Sequence, residues 1–99
     1  MYDIPRVFSF KSNPGMFEKE REDIKNNTVR FIDFADERFQ HLIHWAVVGW
    51  NDGDIKIEIK CESVHPYRFV KDIRDISVFK DIMIITWNPK KIVRDRTTP

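Results

Sequence analysis

The stretch "EDIKNNTVRFI" (residues 22–32) holds three side chains whose types and spacing could do chemistry: Lys25, Thr28 and Arg30. A lysine and an arginine can grip phosphate oxygens or base edges through charge-assisted hydrogen bonds. A threonine hydroxyl between them can add a hydrogen bond or, with a base beside it, attack an acyl carbon. Attack would require a neutral Lys25, which burial or cationic neighbours would have to bring about. The same residues also have a plain structural use. A cation near a helix C-terminus complements the helix dipole, and threonine fits a strand on propensity alone.

Other constellations are weaker. His41 and His44 stand three apart, with Cys61 and His65 further on. Zinc needs three or four converging ligands, and the alternation around Cys61 puts it on an apolar strand face, so it reads as a core thiol and no metal site is expected. Trp45, Trp50, Trp87 and Tyr67 could stack on bases. Trp45 adjoins an apolar helical stripe and Trp87 continues an apolar strand, which leaves Trp50, beside "NDG" in a loop, as the aromatic ligand-binding candidate. Glycine occurs only at positions 15, 49 and 53, so no phosphate-binding glycine loop can be drawn. No Ser-His-Asp order stands out, and no cofactor is expected.

The elements that must position these residues follow from hydrophobic periodicity. "RVFSF" (6–10) reads as a first strand. Asn13 as cap, Pro14 at the first helical position, and Phe17, Arg21 and Ile24 on one face predict a helix over 14–25. "NTVRFIDF" then changes to the period of a strand, with Val29 and Phe31 on one face and Thr28, Arg30 and Ile32 on the other. A second helix is predicted at 37–47, capped by Asp36, with Phe39, Leu42, Ile43 and Val47 as its apolar stripe. "DIKIEIKCE" alternates strictly, setting Ile55, Ile57, Ile59 and Cys61 against Lys56, Glu58, Lys60 and Glu62, a solvated polar side. A long or bent strand through "YRFVKDIRDISVF" and a buried one through "IMIITW" complete a β-meander.

With 99 residues, 41% of them hydrophobic and eight of them Phe, the chain suits one domain with one core. We expect that domain at 1–88, followed by a basic tail at 89–99 that carries Lys90, Lys91, Arg94 and Arg96 and frays into solvent. The formal charge of +1 gives no global basic signal for nucleic acid. A lone cysteine, no apolar leader and no segment near the roughly 20 apolar residues of a membrane span predict a cytoplasmic protein with no membrane partner. The fold class expected is α+β, with two helices on a curled, mostly antiparallel sheet or half-open barrel.

The order strand, helix, "EDIKNNTVR", strand, helix, "GDIKIEI" resembles the ASCH domain, a small relative of the PUA β-barrels, over about residues 6–88. Members carry Gly-x-Lys-x-x-Thr/Glu-x-Arg after a helix and a Gly-Asp-hydrophobic segment opening a barrel strand. Asp23 stands at the position of the family's glycine, and the chain passes almost directly from Phe79 to Ile82, where some members add a helix. The resemblance implies binding of RNA, DNA or a nucleotide, RNA or a modified nucleoside above all, by Lys25, Thr28 and Arg30. One small branch hydrolyses the amide of 4-acetylcytidine with a lysine, a threonine and a glutamate, which would make Lys25 and Thr28 catalytic. The region holding that glutamate has no counterpart here, and Glu58 and Glu62 fall on a polar strand side, so binding is expected ahead of catalysis. A protein-interaction module of a mobile element is the third expectation.

Overall fold

The computed structural model describes residues 4–22, 25–63 and 67–88. Among them the order is β1 (Val7–Lys11), α1 (Pro14–Arg21), β2 (Asn27–Phe31), α2 (Glu37–Val48), β3 (Lys56–Lys60), β4 (Arg68–Phe79) and β5 (Ile82–Trp87). The tail expected at 89–99 lies outside the described residues.

The five strands form one mixed sheet in the order β1-β3-β4-β5-β2. β1 runs parallel to β3, opposite which Phe8 meets Ile57. The other three pairs are antiparallel. β4 is the long member: Arg68–Asp72 pair with β3, and the stretch from Ile73 to Phe79 pairs with β5 after a register shift between Ile73 and Asp75. Such an irregularity bends a strand and raises its twist, so one strand can serve both halves of the sheet. The sheet is not closed, and β1 and β2 remain its edges. The chain is thus a small α+β domain.

The alternation read from the sequence sorts the core. Phe8 and Phe10 of β1, Ile57 and Ile59 of β3, Ile73 and Ile76 of β4, and Met83, Ile85 and Trp87 of β5 are all buried. Phe17 from α1 and Phe39 and Leu42 from α2 join the same cluster. Cys61 is buried too, as expected of a core thiol. Val47 departs from the stripe assigned to α2, being 79% exposed. At 3.6 residues per turn it lies about 140° round the axis from Leu42, off the face that meets the sheet.

Glu58 also departs from its expected place on a solvated side; it is only 8% exposed. β3 has a partner strand on each side, and both supply cover. Ser9 Oγ of β1 donates to Glu58 Oε1 and Arg68 of β4 donates to Oε2, each at 2.6 Å. The hydroxyl and then the guanidinium hold the Glu58 carboxyl below its ordinary value.

Ile57 is fully buried. Ile57→Ala should therefore lower the unfolding free energy by about 2–5 kcal/mol in urea titration, through lost burial and a residual cavity. Glu58 favours the fold only while ionised, because its folded-state pKa is depressed. Glu58→Gln should accordingly be less stable than the parent at pH 7. The gap should shrink as pH falls below the ordinary glutamate value of about 4.3, as thermal melts across pH would read.

Candidate functional site

The Lys25, Thr28 and Arg30 trio does converge. All three line one pocket of about 310 Å³ between α1 and the inner side of β2. The alternation of β2 does this locally: Thr28 lies opposite Ile85 and Arg30 opposite Met83, both core residues, while Val29 and Phe31 point the other way, 56% and 77% exposed.

The sequence reading missed the fourth member. Glu20 of α1 is 2% exposed, lines the same pocket, and its Oε2 accepts from Lys25 Nζ at 3.0 Å. Its other oxygen, Oε1, is buried with no hydrogen-bond partner among the described residues. The signal was available in the spacing: Glu20 stands one turn beyond Phe17, whose ring is wholly buried, so the two share the inward side of α1. The stripe predicted for that helix ran through Arg21 instead. Arg21 is half-buried, with its guanidinium 5.9 Å from the Phe17 ring and an ion pair to Glu18. Ile24 and Asp23 lie outside the described residues.

α1 also stops earlier than periodicity predicts, at Arg21, and the chain turns back so that the Lys25 amide donates to the Lys19 carbonyl at 3.0 Å. The Lys25 ammonium then binds both Glu20 and the Asn27 carbonyl. The lysine therefore ties the helix end to the strand start as well as facing the pocket.

Arg30 is held as firmly. Its Nε donates to Thr28 Oγ1 and its Nη2 to the Lys11 carbonyl, each at 2.9 Å, and its guanidinium lies 4.9 Å from the Phe10 ring centre. These contacts bridge the two edge strands across the opening that no ladder closes. Burial pushes the Arg30 guanidinium down from its ordinary value, the Glu20 carboxylate opposes that, and Arg38 adds a smaller push in the direction of burial. An arginine stays charged through such shifts.

Thr28 is 4% exposed, and its oxygen accepts from Arg30, while its own proton has no acceptor among the described residues. The pocket thus has a buried unpaired acceptor in Glu20 Oε1 and a buried hydroxyl in Thr28 whose proton is unpaired among the described residues, with the half-buried Ser12 hydroxyl nearer its opening. Lys11, Lys25 and Arg30 set three cations against the single Glu20 carboxylate.

Trp50 is elsewhere. It lines a separate pocket of about 380 Å³ with Asp52 and Arg74, and its indole N–H donates to the Ile73 carbonyl at 2.9 Å. Trp87 is fully buried, and Trp45 packs on the core with its N–H on the Pro5 carbonyl. His41 and His44 lie on α2, and among the described residues no three His, Cys, Asp or Glu side chains gather as metal ligands. His65 lies outside them. No helix among the described residues is long and apolar enough to cross a membrane.

One apolar surface accompanies the pocket on the opposite side of β2. Val29 faces Ile84 across the ladder, and Phe31 and Phe79 flank Ile82, a row in which Phe31 and Phe79 are 77% and 68% exposed.

Because Lys25 neutralises a buried carboxylate, Lys25→Ala should cost about 1–3 kcal/mol in urea denaturation at pH 7. Adding Glu20→Gln to that variant should recover part of the loss, since a neutral amide needs no counter-charge.

No protein-family model, no curated protein and no solved structure matches the chain.

Proposed function

We propose that the pocket between α1 and β2 binds a nucleotide, free or as an unpaired unit of RNA or DNA, with RNA or a modified nucleoside favoured. The observation that carries this reading is the buried, unpartnered Glu20 Oε1 in a pocket whose net charge is positive. A buried carboxylate oxygen without a donor is costly, so a ligand N–H placed there removes a penalty the free protein bears. The surplus of cations favours a ligand that also carries negative charge. Nucleotides unite both properties. The pocket is at the small end of ligand sites, which suits one base rather than a duplex.

The element order supports reading the open sheet as a divergent ASCH/PUA-like half-barrel. So does Arg30, which spans the gap between its edge strands. A nucleotide ligand and a lone buried thiol both fit a cytoplasmic protein.

A second reading, amide hydrolysis on an acylated nucleoside, draws support from Glu20, a carboxylate in the pocket of Lys25 and Thr28. It stands second because the Thr28 hydroxyl is hydrogen-bonded to Arg30 alone, and Lys25 is occupied by Glu20 and the Asn27 carbonyl. No base yet holds the threonine proton. The exposed row along Val29, Phe31 and Phe79 supports a protein partner instead. The pocket beside it ranks the nucleotide reading first.

A two-dimensional NMR titration of labelled protein with nucleosides, nucleotides and short RNA and DNA tests this. Shifts should concentrate on Lys11, Lys25, Thr28 and Arg30 and persist at moderate salt. Thr28→Val, which keeps shape but loses the hydroxyl, should weaken them. Shifts on the outer face of β2 alone, or none, would sink the site assignment. Release of acetate from an acetylated nucleoside by the parent and not by Thr28→Val would promote the hydrolytic reading.

A further inference from the structure

The pocket is polar in an ordered way from mouth to floor. Its mouth includes Lys11, an exposed lysine at the end of β1 whose ammonium pairs with none of the described residues, and Ser12 and Asn13, which lead into α1. The first turn of that helix has one amide to spare. Pro14 has no N–H, Asn13 Oδ1 accepts from Met16 N–H at 2.9 Å, and the Asn13 carbonyl accepts from Phe17 N–H at 2.8 Å. The Gly15 N–H, next to the pocket-lining Met16, has no partner among the described residues, and the helix dipole makes this end favourable to an anion. The floor is the reverse: Glu20, 2% exposed, presents an oxygen with nothing to accept.

A ligand suited to both ends carries an anion outward and an N–H inward. Turned around, it would press its phosphate against the Glu20 carboxylate and leave both ends unsatisfied. We propose that the pocket takes one nucleoside 5′-monophosphate unit with its base inward, a base N–H on Glu20 Oε1 and the phosphate outward on Lys11 beside the first turn of α1. This rests on the nucleotide reading and adds to it an orientation and the requirement for a phosphate. The Thr28 hydroxyl proton then has an acceptor in the base, and Arg30 keeps the wall in place through Thr28 and the Lys11 carbonyl.

The test compares nucleosides, their 5′-monophosphates, ribose 5-phosphate and inorganic phosphate by NMR titration against the parent and Lys11→Ala. Lys11 is exposed, so its removal leaves the fold alone. The monophosphate should bind on the order of tenfold tighter than the nucleoside, and Lys11→Ala should erase that advantage while nucleoside affinity holds. Base-dependent shifts should fall on Thr28, and phosphate-dependent ones on Lys11 to Met16. Equal binding of nucleoside and monophosphate in the pocket would overturn the orientation and leave the nucleotide reading standing. Ribose 5-phosphate or inorganic phosphate binding as well as the monophosphate would overturn the inward base. No pocket shift with any compound would remove the nucleotide reading itself. A 5′-phosphorylated pentanucleotide separates the two sources of the unit: tighter binding than the mononucleotide assigns a strand, equal binding a free nucleotide, and both keep the orientation.

Discussion

A carboxylate taken almost wholly out of water must be paired, and in this chain the pairing of Glu20 with Lys25 joins the end of a helix to the start of a strand. From that one link much of the site follows. The turn after α1 is closed by the lysine, β2 begins where the Asn27 carbonyl receives the same ammonium, and Thr28 and Arg30 are delivered to the inner side. The pair also satisfies only half of the carboxylate. What is left over is a single acceptor atom, fixed in position by a structural requirement, buried, and without a donor among the described residues.

The second constraint is the division of labour within β4. A strand of 12 residues that changes partner midway lets one sheet hold β1 at one edge and β2 at the other while curling them toward each other. Arg30 then reaches the Lys11 carbonyl, and Phe10 lies under the guanidiniums of both Arg30 and Arg38. Arg38 is anchored in turn by Asp36, whose carboxyl its hydrogen bonds hold below the ordinary range. Arg30, which lines the pocket, is therefore backed by a layer of cations laid over an aromatic ring.

Periodicity made much of this legible. β3, β5 and α2 follow from alternation or helical spacing, and the two sides of β2 were assigned to the correct faces from residue types alone. What escaped is what tertiary contacts decide. The end of α1 is set by a lysine folding back on its own helix, and no local stop signal marks Arg21. A glutamate in a charged helix ordinarily faces solvent, and the burial of Glu20 depends on a partner five residues on, in the connection beyond the helix. Glu58 was misjudged for the same reason: alternation tells which side a residue takes, and the neighbours of its strand decide whether that side is wet. Strand order, and the parallel pairing of β1 with β3, have no local signature at all.

All the residues lining the pocket fall between Lys11 and Arg30, a contiguous run in the first third of the chain. Yet β1 and β2 do not pair with each other; each is held by a strand from the second half, β3 and β5. A segment carrying every lining side chain would thus have no edge to rest on. Its assembly waits for long-range ladders, the slow and entropically expensive part of folding. The site is local in sequence and global in formation, so its appearance in time marks the completion of the whole domain.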